Sequence, residues 1–391
     1  MSKAPRRRVF VDLSTLAADG SNGGSRVFLL RLLHGLLEGV HAPELHLLVK
    51  PASEAVVAPL LGAGAVLHRL GPGLDVEEPR FLLRWRRRLP RAVSRLLPDP
   101  ASLKRLGADV LFSPLATAAF HEPSLPHVAI AYDFQELHLP RFFDERELRR
   151  RREFCEDLRR ADRVAAISHA TRRDAITMGG ISASHVTVIP PVAGGIRRPL
   201  AEAELPSRLA AFDLSPGGYA VYPSNFWPHK NHERLLSAAA VVVRGDPGFR
   251  LVLCGALDEA RARLEAAVSD RGLSGAVRVL SYRPDEDVTA LLQGARFLAF
   301  PSLFEGFGIP VLEALHLGTP VTCSELPVLR EVAGEAALYF DPNDDTSVAD
   351  ALEILWKSPE TRARLARSGH ARAERFERIN TVEAYRHLLT F

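Results

Sequence analysis

The chain has 391 residues, too many for one typical hydrophobic core, and this length predicts two domains. Its 47% hydrophobic and 25% charged residues are typical of a globular protein, and a formal net charge of +3 is too small to indicate nucleic-acid binding. The three cysteines are far apart and lack metal-ligand spacing, which predicts a reducing compartment without disulfides. No apolar stretch approaches the roughly 20 residues of a transmembrane helix, so we expect a cytoplasmic protein.

The first half of the chain begins with a strand that ends in a glycine-rich loop. An apolar run over 8–13 predicts a buried strand, and the loop over 18–25 leads into a predicted helix over 27–37. A strand, a glycine-rich loop and a helix form an arrangement that can cradle a phosphate group. The loop lacks the G-x-G-x-x-G spacing of a dinucleotide site, and a flexible turn is the alternative.

A basic segment over 80–106 interrupts this pattern. It interleaves nine arginines and lysines with apolar residues around Trp85, while Pro90 and Pro98 divide it into short pieces. A basic amphipathic stretch of this kind fits an anionic membrane surface, which predicts a peripheral position on the inner face of the membrane. The alternative is a solvated helix face whose arginine stems cover the core. No recognition motif accompanies the charge, so we expect no nucleic-acid partner.

Polar residues follow several predicted strands of the first half. Asp133 comes directly after the predicted strand 127–132, where an open α/β sheet binds its ligands, although Asp133 can also be a helix N-cap. Ser168 follows the strand 164–167 and is a natural N-cap for the next helix. After a last strand over 186–189, a proline- and glycine-rich linker predicts domains 1–199 and 200–391.

The second half restarts with a strand over 219–223, a polar loop and a helix over 233–243. Lys230 lies in this loop and is placed to neutralise a diphosphate, and an ordinary exposed lysine is the alternative. Trp227 and His229 either shape a pocket or are structural. The acids at 285–287 superficially match a metal-binding D-x-D motif, but they open a predicted helix, where acids favour the dipole. We therefore expect no metal site.

The most informative stretch is FLAFPSLFEGFGIPVLEALHLGTPV, over 297–321. It predicts a buried strand, a loop with Gly306 and Gly308, and a helix whose first turn accommodates proline. Loop amides and the helix N-terminus suit a phosphate, whereas Glu305 and Glu313 would repel one. Ionised carboxylates accept hydrogen bonds, and eight residues of pure helix would span roughly 12 Å, enough for the two groups to reach the sugar and the ribose of one ligand. A molecule with hydroxyl groups at both ends and phosphates between them, a nucleotide sugar, satisfies both requirements.

The pattern PS-x-x-E-G-F-G-x-P-x-x-E-A-x-x-x-G-x-P-V in this stretch resembles the donor-site signature of retaining glycosyltransferases of family 4, which have the GT-B fold. The resemblance implies an α/β protein with two Rossmann-like parallel-sheet domains facing a cleft. Residues 1–199 would bind the acceptor and 200–391 the nucleotide sugar, with the C-terminal helix crossing back to the first domain. The D-x-Q-x-x-H-x-P pattern from Asp133 resembles a branch that includes mannosyltransferases of polysaccharide assembly.

The resemblance also assigns roles to individual residues. Glu305, Lys230 and Asp133 are the implied catalytic residues, with Glu305 on the donor sugar, Lys230 on the leaving diphosphate and Asp133 on the acceptor side. Tyr132 stands where the family often has histidine, which places any histidine role in doubt. Asn225 stands near a position where arginine is common. The implied donor-binding residues are Gly23, Gly24, Asn225, Lys230, Tyr282, Glu305, Gly306, Phe307, Gly308 and Glu313.

The resemblance implies metal-independent transfer of a sugar, such as mannose, from a nucleotide sugar to a hydroxyl of a glycan or lipid-linked acceptor. The implied mechanism retains the anomeric configuration by front-face attack, and no cofactor is required. An epimerase-type enzyme on the same fold would instead need a catalytic acid pair. A nucleotide-sugar-binding protein would bind the donor without turnover, and a phosphorylase would need a lysine for pyridoxal phosphate.

Overall fold

The computed structural model of the protein describes residues 6–18, 23–76, 102–115, 119–192, 197–256 and 258–390. The chain divides into two compact units. The first unit comprises Met1–Gly194 and Asn380–Phe391, and the second unit comprises Gly195–Ile379. The contacts between residues place the end of the first unit's long segment at Gly194. The composition of the linker predicts the boundary at residue 199.

One parallel sheet organises the described part of the first unit, with seven strands in the order β3-β2-β1-β4-β5-β6-β7. Each strand coincides with a run that the sequence predicts as a strand, and these runs are 8–13, 45–49, 65–69, 109–114, 127–132, 164–167 and 186–189. In β5 every side chain is buried, as expected for a parallel sheet covered on both faces. The strands are β1 (Arg8–Asp12), β2 (Glu44–Val49), β3 (Val66–Arg69), β4 (Val110–Ser113), β5 (His127–Ala131), β6 (Arg163–Ala166) and β7 (Val186–Val188).

Side-chain caps begin three of the described helices of the first unit, with Asp144, Ser168 and Asn380 as the capping residues. The Asp144 carboxylate accepts the N–H of Glu147 at 2.7 Å, and Ser168 Oγ accepts the N–H of Thr171 at 2.9 Å. The prediction that Ser168 is an N-cap is confirmed. The helices described in this unit are Gly23–Leu37, Glu54–Gly62, Gln135–His138, Glu145–Arg160, His169–Thr177 and Thr381–Leu388, with 3-10 turns at Pro51–Ser53, Leu103–Leu106, Pro140–Phe142 and Ala183–His185.

The helix Thr381–Leu388 supplies part of the core of the first unit. Tyr385 is fully buried, and its ring lies 5.9 Å from that of Phe112 on β4. Gly35 leaves room for Val382, because a Cβ at Gly35 would stand 2.6 Å from Cγ2 of that valine. The C-terminal residues are therefore packed into the first unit by close contacts.

The second unit is built on a parallel sheet of six strands among its described residues, in the order β10-β9-β8-β11-β12-β13. From β8 the chain moves outward to β9 and β10, and it then returns to β11 on the other side of β8. All six strands coincide with runs that the sequence predicts as strands, and these runs are 219–223, 250–255, 277–280, 297–300, 321–323 and 337–340. They are β8 (Ala220–Pro223), β9 (Leu251–Cys254), β10 (Val277–Leu280), β11 (Phe297–Phe300), β12 (Val321–Ser324) and β13 (Ala337–Phe340).

Helices alternate with these strands, which confirms the predicted α/β class. The acids at 285–287 occupy the first turn of the helix Asp285–Gln293, as the sequence predicts. The helices described in the second unit are Leu205–Ala210, His232–Gly245, Asp258–Asp270, Asp285–Gln293, Ile309–His316, Pro327–Ala333, Asp345–Lys357 and Pro359–Glu377, with 3-10 turns at Pro228–Lys230 and Gly334–Ala336.

Most of the basic segment 80–106 lies outside the described residues, which include only 102–106 of it. In that part Leu103 is buried, while Lys104 and Arg105 are exposed. Among the described helices, none combines the length and the apolar character that crossing a membrane requires.

The carboxyl group of Asp12, at the end of β1, gives the first unit a specific pH dependence. Burial raises the pKa of this carboxyl from its ordinary 3.8 to about 6, although the N–H of Ser14 donates to it at 3.0 Å. Between these pH values the unfolded chain releases a proton that the folded chain keeps. The free energy of unfolding should therefore fall with rising pH, by at most about 3 kcal/mol, relative to Asp12→Asn. Urea unfolding of both proteins between pH 4 and 7 measures this difference, and parallel pH profiles would contradict it.

Gly255, at the exit of β9, is expected to tolerate no side chain. A Cβ at this position would overlap the carbonyl oxygen of Ser224 and lie 3.1 Å from the Cα of Asn225. Because both neighbours are backbone, Gly255→Ala should lower the free energy of unfolding by about 2 kcal/mol. Gly245→Ala is the control, since a Cβ there meets nothing within 4 Å. Thermal unfolding of the two variants provides the comparison, and equal melting temperatures would refute the expected clash.

Candidate active site

The candidate donor site of the second unit lies where the strand order of its sheet reverses. β8 and β11 are neighbours in the sheet, yet the chain leaves them towards opposite edges. Open parallel sheets bind ligands past the carboxyl ends of their strands at such a reversal. Lys230 lies in the loop after β8 and Glu305 in the loop after β11. Sheet topology thus brings these two predicted site residues to one place.

Hydrogen bonds fasten these two loops together. The N–H of Leu303 donates to the carbonyl of His229 at 2.8 Å. The hydroxyl of Tyr222, a fully buried residue of β8, donates to the carbonyl of Lys230 at 3.0 Å and lies 3.0 Å from Oγ of Ser302. The path of the β8 loop is therefore fixed against the β11 loop.

Two asparagines also fix the β8 loop. Asn231 has a left-handed backbone with φ of 62°, and its Nδ2 donates to the carbonyls of Pro301 at 3.1 Å and Pro342 at 2.9 Å. Asn225, a predicted donor contact, accepts the N–H of Ala256 through Oδ1 at 3.0 Å. That oxygen thus ties the loop to the exit of β9.

Lys230 and Glu305 form an ion pair, with 2.6 Å between Nζ and Oε1. Their side chains are only 15% and 11% exposed, so the alternative that Lys230 is an ordinary exposed lysine is wrong. From the sequence, Lys230 is expected to bind the diphosphate and Glu305 the sugar, but no local pattern predicts that the two side chains touch. Removing either partner would leave a largely buried charge without its counter-charge, which is unfavourable.

In the predicted loop 306–308, the side chain of Phe307 is packed into the core and Gly308 has a left-handed backbone. Phe307 is 2% exposed, and its ring meets that of Phe376 edge-on at 5.8 Å, so its side chain belongs to the core. Gly308 has φ of 101° and directly precedes the helix Ile309–His316. A Cβ at Gly308 would lie 2.6 Å from Cδ2 of Leu329, so glycine is required for both conformation and space.

Glu313 is buried in the same helix and pairs with a residue that the sequence argument missed. Oε1 of Glu313 lies 2.8 Å from Nε of Arg197, and the two side chains are 11% and 15% exposed. Nη1 of Arg197 also donates to the carbonyl of Asp285 at 2.8 Å. Arg197 stands in the stretch that the sequence treats as linker, where its only signal is a charge beside glycines.

The aromatic residues predicted near the donor differ in exposure. Tyr282 follows β10, the outer strand, and is 71% exposed, so its ring is not part of a packed pocket wall in the second unit. Trp227 is 37% exposed, and its ring centroid lies 5.7 Å from that of His229. Across the described residues, no three His, Cys, Asp or Glu side chains form a group that could hold a metal ion.

The predicted site residues of the first unit lie past the carboxyl ends of β1 and β5. Gly23 and Gly24 begin the helix Gly23–Leu37, while residues 19–22 fall outside the described part. A Cβ at Gly24 would meet no described atom within 4 Å. Among the described residues, Gly24 therefore has open space beside it, which a phosphate contact would require.

Asp133 and Tyr132 occupy different environments at the end of β5. Asp133 Oδ1 accepts the N–H of Gln135 at 3.2 Å and lies 3.4 Å from Nη1 of Arg151, so the carboxylate does serve the start of the following helix. Tyr132 is buried at its hydroxyl, which has no hydrogen-bond partner among the described residues, and burial raises its pKa well above the ordinary value. Asp133 remains a prediction as an acceptor-side group.

Two family models match the chain. The model described as "Glycosyltransferase Family 4" covers residues 22–192, and the model described as "Glycosyl transferases group 1" covers residues 215–372. The two matches therefore fall in the first and the second unit respectively.

Curated relatives point to the same family. O-antigen chain mannosyltransferase B of Escherichia coli is 31% identical over 281 residues, which cover 68% of this chain and 74% of the relative. O-antigen chain mannosyltransferase RfbU of Salmonella typhimurium is 34% identical over 138 residues, which cover 35% of this chain and 38% of the relative.

Solved structures share the fold. HepE of Anabaena, crystallised with UDP and glucose, superposes with a TM-score of 0.74 at 17% identity and 98% coverage of both chains. WaaG, a glycosyltransferase involved in lipopolysaccharide biosynthesis, gives a TM-score of 0.70 at 14% identity, with 98% of this chain and 99% of WaaG covered. The predicted GT-B fold is thus confirmed. The chain belongs to glycosyltransferase family 4 and is a hexosyltransferase.

Proposed function

We propose that the enzyme transfers mannose from a nucleoside-diphosphate sugar to a hydroxyl group of a glycan or lipid-linked acceptor, with retention and without a metal ion. The relatives named as O-antigen mannosyltransferases support mannose and a glycan product. The complex of HepE with UDP and glucose supports a nucleotide-sugar donor. The observation that carries the proposal is the contact between Lys230 and Glu305, which joins a cation and a hydrogen-bond acceptor at the strand reversal.

On the donor side, the diphosphate, the sugar and the ribose of the ligand each have a matching group in the second unit. The ammonium of Lys230 and the backbone amides of Gly306–Gly308 face the diphosphate, and the start of the helix Ile309–His316 adds positive potential. When the diphosphate binds, the ammonium of Lys230 moves from Glu305 to the phosphate oxygens. Glu305 then accepts hydrogen bonds from the hydroxyl groups of the sugar. Glu313 accepts from the ribose.

The chemical step forms one bond and breaks one bond at the anomeric carbon. The acceptor hydroxyl oxygen bonds to this carbon on the face from which the nucleoside diphosphate departs. The bond to the phosphate oxygen breaks, its electron pair leaves with the diphosphate, and the hydroxyl proton passes to that departing oxygen. Lys230 stabilises the developing negative charge without a metal ion. Asp133 contacts the acceptor, and Gly23 and Gly24 approach the diphosphate.

Substitution of the ion pair is expected to abolish most transfer. Lys230→Ala and Glu305→Gln should each lower the transfer rate by about a hundredfold or more, because each removes a charge that acts on the donor. Labelled GDP-mannose, UDP-glucose and ADP-glucose, incubated with bacterial membrane extract as acceptor, supply the assay. Thermal unfolding with each donor shows which one binds, since a ligand of the native state raises the melting temperature.

Lys357→Ala is the matched control for these variants. Lys357 pairs with Glu353, but their side chains are 53% and 45% exposed, so the variant should retain wild-type transfer. Wild-type transfer by both folded variants of the Lys230–Glu305 pair would show that the assigned site is wrong.

We also propose that the basic segment 80–106 holds the enzyme at the anionic inner face of the membrane, where a lipid-linked acceptor is presented. Changing Arg86, Arg87 and Arg88 together to Glu should weaken binding to liposomes containing phosphatidylglycerol by about tenfold or more. Neutral phosphatidylcholine liposomes should bind both proteins equally weakly. Equal sedimentation of wild type and triple variant with anionic liposomes would remove this part of the proposal.

A further inference from the structure

The first residues of the second unit after its linker are fixed onto the helix Asp285–Gln293. The N–H of Leu200 donates to Oε1 of Gln293 at 2.8 Å, and Nε2 of that glutamine donates back to the carbonyl of Leu200 at 3.0 Å. At the other end of the helix, Nη1 of Arg197 donates to the carbonyl of Asp285 at 2.8 Å. These hydrogen bonds fix residues 197–200 against the helix, and they thereby fix the position from which the side chain of Arg197 extends.

The guanidinium of Arg197 lies between two carboxylates. Its Nε is 2.8 Å from Oε1 of Glu313, and its Nη1 is 3.3 Å from Oδ1 of Asp285. Burial alone would lower the pKa of Arg197, but the attraction of Glu313 and Asp285 outweighs it and raises the pKa. The guanidinium is therefore a permanent positive charge beside the buried Glu313.

The contact with Arg197 allows the carboxylate of Glu313 to accept hydrogen bonds from a ligand as well. The Nε–H of Arg197 is not aligned on Oε1 of Glu313, so the contact neutralises charge without a linear hydrogen bond. A carboxylate has about four lone-pair directions, and one cation beside it does not by itself remove its capacity to accept hydrogen bonds. An unpaired buried carboxylate would instead favour its protonated form and lose acceptor capacity.

We propose that Arg197 is a positioning residue for the nucleotide: it holds the carboxylate of Glu313 charged and oriented to accept hydrogen bonds from the ribose hydroxyls. This inference rests on the proposed function, which gives the ribose to Glu313. It adds a residue from the linker stretch to the donor site, connected to the ligand only through Glu313.

Nucleotide binding with and without ribose hydroxyls tests the proposal. Isothermal titration of the full chain with GDP, UDP and ADP first identifies the diphosphate that binds, and its 2′,3′-dideoxy counterpart is then titrated. The variants are Arg197→Gln, Glu313→Gln and the double variant, with Arg197→Lys as the conservative change. Arg208→Gln is the control, because Arg208 pairs with Glu286 on the same helix at 2.8 Å but is more exposed.

The proposal predicts a specific loss of ribose discrimination. The wild type should prefer the ribonucleotide by about tenfold or more, and Arg197→Gln should lower ribonucleotide affinity by about tenfold while leaving dideoxynucleotide affinity nearly unchanged. The double variant should be no weaker than Glu313→Gln alone, Arg197→Lys should recover part of the preference, and Arg208→Gln should behave as wild type.

Other outcomes overturn the proposal in distinguishable ways. If Arg197→Gln keeps the full ribose preference, binds ribonucleotide more tightly, or weakens both nucleotides equally, Arg197 does not act through Glu313. If the wild type binds a diphosphate without ribose preference, Glu313 does not contact ribose, although a donor site remains. If the wild type binds none of the three diphosphates, the proposed function fails together with this inference.

Discussion

The second unit depends on one electrostatic constraint, because two nearly buried carboxylates at its active edge must each be paired with a cation. Glu305 meets Lys230 at 2.6 Å, and Glu313 meets Arg197 at 2.8 Å. Moving a carboxylate out of water is costly, and only a close partner of opposite charge makes it tolerable. Such pairs add little to stability by themselves, which is consistent with the proposed use of these groups by a ligand.

The sheet explains why these charges meet. The reversal of strand order between β8 and β11 places two loops side by side, and backbone hydrogen bonds lock them together. Gly308 then turns the chain into the helix Ile309–His316, which carries Glu313. The strand order thus determines the paths of the loops, and the loops determine where the charged groups lie. Membership of family 4 agrees with the sugar transfer proposed for these groups.

Much of this could be predicted from the sequence because the signals are local. The thirteen strands among the described residues lie over short, mostly apolar runs, and the E-G-F-G-x-P pattern marks its own loop and helix. The contact of Glu313 with Arg197 could not be predicted, since it joins residues far apart in the sequence through folding alone. Phe307 was expected at the donor, but its neighbour Phe376 comes from a distant helix that no local pattern announces.

The most direct measurement is a crystal structure of the enzyme with an intact nucleotide sugar. We expect that Lys230 moves from Glu305 to the diphosphate, and that Glu305 then accepts hydrogen bonds from hydroxyls of the transferred sugar. A complex in which the sugar nucleotide binds elsewhere, or in which Lys230 and Glu305 remain paired and contact no part of it, would contradict the account.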